Sequence, residues 1–250
     1  MIEAFSDDKI LDANIGFRRG LENCEMENGV GSGLVMDCLT DFWSNLYASR
    51  TSGTTYKIPT LHHAFQEREW KAVARTLAFG WQRFEYIPVQ LAPPFLNEAL
   101  SISSKNFSHM EVFFNYISPT EKDALTEALT DFKGADMEEL LTILSSHNCT
   151  ILPTKQKLSI LLEEIAHKEL VQQPSFTIKC WKPVLETTGE SLSGGVLCKI
   201  LANLQPKARS ITKYIQFPNS MSPAERTTSL HLLRFVREIN QREIGQFPRF

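Results

Sequence analysis

Cysteine is the residue type in this chain best suited to covalent chemistry, because a thiolate is a strong nucleophile near neutral pH. A cysteine hydrolase needs a base within hydrogen-bond reach of the sulfur, and His167 could serve Cys149 or Cys180 in that way. The other three cysteines are Cys24, Cys38 and Cys198. Apolar surroundings predict that Cys38, Cys180 and Cys198 pack as small hydrophobic side chains. Cys24 and Cys149 have no directly adjacent Lys, Arg or His to stabilise a thiolate. We therefore assign no catalytic residue, and the hydrolase stays an open alternative.

Metal and cofactor motifs are missing from the sequence. No two cysteines lie two to four residues apart, and the doublet His62 and His63 lacks the spacing of four that places two imidazoles on one helix face. Gly29, Gly31 and Gly33 alternate, but the third glycine of a dinucleotide-binding fingerprint is missing at its required spacing. No Gly-Lys-Ser or Gly-Lys-Thr occurs either. We expect surface histidines, a flexible helix entry at the glycines, no metal and no cofactor.

The composition is that of an ordinary globular protein, with 250 residues, 42% of them hydrophobic and 22% charged. This length fits one or two domains. A net charge of −3 argues against a nucleic-acid partner, which needs a basic surface. No apolar run exceeds three residues, so no membrane span is expected. The acidic start MIEAFSDDKI is unlike a signal peptide, and the five cysteines are odd in number and scattered. These features predict an intracellular protein, cytoplasmic or nuclear.

Apolar periodicity predicts helices in the first half of the chain. One covers residues 34–47 after Ser32 as its N-cap, and another covers residues 70–81. Pro94 suits the first turn of a short helix. Four aromatic residues are expected to pack in the core, with a role in binding as the second interpretation: Trp70, Trp81, Phe113 and Phe114.

Helix-start signals are clear beyond residue 101. Ser-Pro-x-Glu occurs at residues 118–121 and again at 222–225, and Asp136 with Glu139 marks a third start. A helix is expected from Thr154 until Pro174 stops it, another over residues 192–204, and a last one with Leu230, Leu233, Val236 and Ile239 on its apolar face. Short strands are expected only at 149–152 and within 15–26. The predicted fold class is mainly α (α+β), a helical domain with a few short strands.

Five segments, taken in order, resemble the HECT domain of ubiquitin ligases in its divergent vertebrate form. They are LENCEMENGVGSGLVMDCLTDFW, KAVARTLAFGWQRFEYIPVQLAPPFLNEAL, FNYISPTEKDAL, TILPTKQKLSILLEEIAHKELVQQP and MSPAERTTSLHLLRFVREINQREIGQFPRF. The resemblance spreads over nearly the whole chain. It departs at residues 31–36, where the family usually shows a Gly-Gly pair and an Arg-Glu-Phe-Phe run.

The resemblance implies a domain plan and a function. Residues 1–221 would form a region like the HECT N-terminal lobe, with an abbreviated subdomain that binds the conjugating enzyme at about 101–150. Residues 222–250 would begin the C-terminal lobe, with an apolar helix face left partly bare. In the family the cysteine that accepts ubiquitin lies downstream of the segment that GQFPRF resembles. The chain as given is therefore expected to be truncated and catalytically incomplete.

Two functional hypotheses follow in addition to the hydrolase. The first is a HECT-like ubiquitin-protein transferase family member that is limited to binding partners, namely a ubiquitin-conjugating enzyme and ubiquitin. Its docking would require an exposed apolar patch within residues 101–150. The second is a helical protein-interaction module unrelated to ubiquitin, since one fold can serve many functions.

Overall fold

Helices dominate the architecture. The computed structural model describes residues 1–17, 31–103, 107–204, 212, 215–218 and 220–238. The helices in these residues are α1 (Ile2–Phe5), α2 (Ser32–Arg50), α3 (Glu67–Phe84), α4 (Pro93–Ala99), α5 (His109–Phe113), α6 (Pro119–Thr130), α7 (Met137–Ser146), α8 (Leu158–His167), α9 (Ser175–Leu192), α10 (Val196–Leu204) and α11 (Pro223–Glu238). A 3-10 turn, Asp8–Asp12, follows α1, and a π-helical segment, Lys168–Gln172, continues α8. The predicted mainly α class with few strands is confirmed.

Two short strands form the one sheet of the described residues. Strands β1 (Thr51–Ser52) and β2 (Ile58–Pro59) pair antiparallel, with Thr51 opposite Pro59. The turn between them donates backbone hydrogen bonds from Thr54 to Tyr116 and from Tyr56 to Asn115. This hairpin therefore ties the end of α2 to the chain that follows α5.

Helix α3 lies at the centre of the core. It packs against α9, α1 and α2, and Trp70, Val73, Leu77 and Ala78 on it are almost completely buried. Its N-terminus has the capping box formed by Gln66 and Glu69. A helix buried around most of its circumference needs partners on several sides, and α9 supplies the largest of them.

A row of three aromatic rings joins α2, α4 and α9. The ring of Trp181 meets those of Trp43 and Phe95 edge to face, at centroid distances of 6.4 Å and 5.2 Å. All three side chains are at most 1% exposed. Edge-to-face pairs of this kind add to the stabilisation that burial provides.

The structure confirms most of the predicted helices. Those at 34–47 and 70–81 correspond to α2 and α3, and Pro94 lies in the first turn of α4. Ser118, Asp136 and Ser222 precede α6, α7 and α11 as expected, although Ile239 lies outside the described residues. Trp70 and Phe113 are core residues, whereas Trp81 and Phe114 are only half-buried.

Three predicted boundaries were wrong. Gly31, not Ser32, is the N-cap of α2, with a φ of 135° that favours glycine. Thr154 opens only a turn, because its carbonyl accepts from Lys157 and Leu158, and α8 starts at Leu158. Leu192 ends α9 rather than starting the next helix. Gly194 and Gly195 have positive φ, which is incompatible with a continuous helix, so the next helix starts at Val196.

The predicted strand at residues 149–152 was also wrong. Asn148 has a left-handed backbone, and the amide of Cys149 donates to the Leu144 carbonyl, so Cys149 belongs to the C-terminal cap of α7. Residues 15–17 are not a strand, and residues 18–26 of the other predicted strand lie outside the described residues. Residues 150–152, which include the β-branched Thr150 and Ile151, form no strand, because no neighbouring strand among the described residues pairs with them.

The chain divides into two units, Met1–Val196 and Leu197–Phe250. The division expected at residues 221 and 222 stays a prediction. In the second unit, α11 presents Leu230, Leu232 and Phe235 at its surface, between 40% and 64% exposed. Each helix of the described residues is too short or too polar to cross a membrane.

Candidate functional site

The helical hairpin of α6 and α7 is built by two strong N-caps. Ser118 Oγ accepts from the Glu121 amide at 3.2 Å, and Glu121 Oε2 accepts from the Ser118 amide at 2.9 Å. At the second helix, Asp136 Oδ1 accepts from the amides of Glu138 and Glu139 at 2.9 and 3.1 Å. Because the caps satisfy backbone donors that would otherwise lack partners, both helices start at defined residues.

The inner faces of this hairpin are apolar and the outer face of α7 is not covered. Leu125 of α6 and Leu140 and Leu144 of α7 are at most 2% exposed. On the outer face, Met137 and Leu141 lie one helical turn apart and are 38% and 37% exposed. Two adjacent apolar side chains at helical spacing can anchor a partner.

Acidic groups are frequent elsewhere on the hairpin. An open depression of about 500 Å³ lies between the start of α6 and α7, and its ionisable lining residues are Glu121, Asp136, Glu138 and Glu139. Residues 118–147 contain seven carboxylates and two lysines. We call Met137, Glu138 and Leu141 the α7 surface, because Glu138 and Leu141 are three positions apart on the helix. It is complementary to a basic protein surface that carries an apolar side chain.

His147, at the end of α7, connects the hairpin to the rest of the first unit. Its Nδ1 lies 3.5 Å from Glu169 Oε1 in the π-helical segment, and its Nε2 lies 3.8 Å from Glu121 Oε1. Lys168 Nζ donates to the His147 carbonyl at 2.9 Å, and the Phe113 ring packs against the imidazole. These contacts hold the α7 surface in a fixed orientation on its unit.

The cysteines of the described residues are buried or half-buried. Cys180 is buried as predicted, and burial raises the pKa of its thiol, which opposes thiolate formation. Cys38, Cys149 and Cys198 are half-buried, and Cys24 lies outside the described residues. A hydrolase that used Cys180 and His167 would need a Cys180 thiol with a lowered pKa, whereas burial raises it.

The histidines singled out by the sequence do not form a metal site. His62 and His63 stack at 4.3 Å between ring centroids, and no group of three or more His, Cys, Asp or Glu in the described part of the chain could hold a metal ion. The exposed ring of His167 meets that of His109 at 5.4 Å and 90°. Sequence reasoning missed His109 as the neighbour of His167, because 58 residues separate the two along the chain.

The α7 surface was predicted only as a requirement, an apolar patch within residues 101–150. The sequence signal that could have identified its residues is the pair Met137 and Leu141, four positions apart on a helix whose other face is also apolar. Comparisons of the chain with protein-family models, with curated proteins and with solved structures match nothing.

Proposed function

We propose that this chain is a HECT-like protein of the ubiquitin pathway that docks a ubiquitin-conjugating enzyme on its α7 surface. One observation carries the proposal: α7 exposes two apolar side chains with the Glu138 carboxylate beside them, within residues 101–150, the region that the resemblance assigns to docking. Interfaces combine such apolar anchors with a polar rim, and opposite charge increases the rate of association.

We propose that this chain binds its partners and forms no thioester with ubiquitin. Ligation of the HECT type requires a cysteine thiolate that takes ubiquitin from the conjugating enzyme and passes it to a lysine. The buried Cys180 has a thiol whose pKa is raised, and the resemblance matches none of the five cysteines to the ubiquitin-accepting position.

Binding of the purified chain to a panel of uncharged conjugating enzymes tests the docking. Leu141→Ser should weaken binding by about tenfold or more, because it removes a central apolar anchor. Glu138→Lys should slow association and reduce its dependence on salt, since it reverses one charge of the surface. Biolayer interferometry at two salt concentrations measures both effects.

Matched controls are available on neighbouring helices. Ile160 of α8 is an exposed apolar residue, and Glu186 of α9 is an exposed carboxylate. Ile160→Ser and Glu186→Lys should bind like the wild type. If the controls lose as much affinity as Leu141→Ser and Glu138→Lys, or if the wild type binds no member of the panel, the proposal is wrong. The second of these results would favour a helical interaction module unrelated to ubiquitin.

Incubation with a ubiquitin-charged conjugating enzyme tests the second part. We expect no ubiquitin adduct that a reducing agent removes, as judged on non-reducing gels. A reducible adduct on this chain would overturn the assignment of binding without thioester chemistry.

A further inference from the structure

A second site candidate is a cavity of about 780 Å³ in the first unit, separate from the α7 surface. Its walls come from α4, the residues that follow it, the start of α5, the end of α8, the π-helical segment and α9. Its size lies in the range of pockets that hold small ligands.

Most of the ionisable side chains that line the cavity are basic. Four ionisable side chains line it, and three of them are bases, His109, His167 and Lys182, while Glu98 is the single acid. Lys182 Nζ lies 3.5 Å from Glu98 Oε2, and both side chains are close to half exposed. Ion pairs with this exposure are weak, so a ligand anion can replace Glu98 as the partner of Lys182.

The histidines are oriented by their neighbours. Glu163 Oε1 lies 3.4 Å from His109 Nδ1, and the His109 and His167 rings meet edge to face. The imidazoles are therefore held beside each other by contacts within the protein. Two imidazoles and an ammonium group in the lining of one cavity provide several N–H donors for an anion.

The remaining lining combines apolar and neutral polar residues. Pro94, Ile102, Phe107 and Val171 are the apolar ones, and Asn97, Ser101 and Ser103 are the polar ones. An apolar wall combined with a few polar groups is the usual composition of a small-molecule site. The ligand that matches this lining has an apolar body and a single charged end.

Two backbone features of the walls support a functional role for the cavity. Val171 lies in the π-helical segment, and such segments are frequent at functional sites. Ser101 has a φ of 55°, an unusual conformation for a residue with a side chain. The packing of Gly189 of α9 directly against the Leu100 carbonyl fixes the two helices that supply Glu98 and Lys182.

We propose that this cavity binds a small organic anion, with its carboxylate or phosphate on Lys182 and His167 and its apolar body against Ile102, Phe107 and Val171. Lys182 carries a positive charge and the imidazoles carry N–H donors, and a ligand carboxylate or phosphate accepts from both kinds of group. The apolar wall selects a molecule with a short hydrocarbon portion over an inorganic ion.

Calorimetric titration with four six-carbon probes tests the charge and the apolar body separately. Hexanoate and hexyl phosphate are the two anions, hexanol is the neutral probe and hexylammonium is the cation. We expect at least one anion to bind about tenfold more tightly than hexanol, a difference of ~1.4 kcal/mol. The tighter of the two anions then identifies the ligand as a carboxylate or as a phosphate ester.

Two charge variants on α9 locate the binding. Lys182→Gln should weaken binding of the anion about tenfold. Lys179→Gln, one turn earlier on the same helix, removes the same charge from an exposed residue outside the cavity lining, and it should have no effect. His167→Gln should also weaken binding of the anion. His63 is exposed and lies outside the lining, so His63→Gln should leave binding unchanged.

Several results would overturn the proposal. These are binding of hexanol as tight as that of both anions, tighter binding of hexylammonium, equal effects of Lys182→Gln and Lys179→Gln, or no heat from either anion at millimolar concentration. Circular dichroism shows whether each variant is folded, so a loss of binding that comes from unfolding is recognised. If a variant is unfolded, the four probes titrated into the wild type still test whether the cavity prefers an anion.

Discussion

The chain uses the same four-residue capping device twice, at residues 118–121 and 222–225. Ser222 Oγ accepts from the Glu225 amide at 3.3 Å, and Glu225 Oε2 accepts from the Ser222 amide at 2.8 Å and from its hydroxyl at 2.9 Å. Each side chain satisfies a backbone donor of the other residue, so the start of the helix is determined locally. Both boxes were predicted from sequence because every participating group lies within four residues.

The carboxyl group of Glu225 gives a prediction about pH. The backbone and hydroxyl hydrogen bonds from Ser222 stabilise the anion, and they lower the pKa of Glu225. A lowered pKa in the folded state means that the contribution to helix stability is present above the ordinary glutamate pKa and is lost as pH falls through the lowered value. Carbon-13 NMR of the carboxyl group should show this lowered midpoint.

Variants of α11 check the cause of that shift. Ser222→Ala removes the hydroxyl bond and should move the Glu225 midpoint part of the way back toward the ordinary value, because the backbone bond remains. Thr228→Ala removes a hydroxyl that donates only to the Ala224 carbonyl and should leave the midpoint unchanged. Equal midpoints in the wild type and in Ser222→Ala would contradict the assignment.

Helix α9 shows how packing overrides local preference. It contains Pro183 in its interior, which has no N–H to donate, and Gly189, which costs backbone entropy. Burial compensates, since Ile178, Trp181, Leu185 and Leu192 on one face are buried in the core. Our sequence reasoning did not predict this helix, because its local signals oppose a helix and its stabilising contacts are distant along the chain.

Gly189→Ala tests the contact between α9 and the Leu100 carbonyl, directly after α4. A Cβ at residue 189 would overlap with the Leu100 carbonyl, so α9 and the end of α4 would have to separate. We expect the free energy of unfolding to fall by about 1–3 kcal/mol in urea denaturation. Gly33→Ala in α2 is the matched control, because a Cβ there meets no atom within 4 Å. It should be neutral or slightly stabilising, and equal destabilisation by both variants would contradict the account.

At the scale of the whole molecule, the first unit depends on contacts between elements far apart in the chain. Trp181 joins α9 to Trp43 on α2 and Phe95 on α4, and the hairpin turn joins residues 54–56 to 115–116. A unit that is stabilised in this way should unfold as one cooperative body.

Trp181→Ala should therefore destabilise the entire first unit. Truncation of a buried tryptophan costs about 3–5 kcal/mol, a large share of the stability of an ordinary domain. We expect the Tm to fall by on the order of 10 °C, measured by circular dichroism and by near-ultraviolet signals in parallel. Phe176→Ala, on the same helix but at a residue that is 38% exposed, should lower the Tm much less. Loss of α9 alone, with the other helices intact, would count against a cooperative unit.

The amino-acid sequence by itself determined where α6, α7 and α11 begin, that further helices lie near residues 34–47 and 70–81, the mainly α class and the burial of Trp70, Phe113 and Cys180. These features follow from apolar periodicity and from caps whose partners lie within four residues. Only the tertiary structure decided that residues 175–192 are helical, that residues 149–152 form no strand, and that His109 and His167 line one cavity. The physical reason is distance along the chain: burial of α9, pairing of a strand and convergence of side chains all depend on segments that local sequence does not specify.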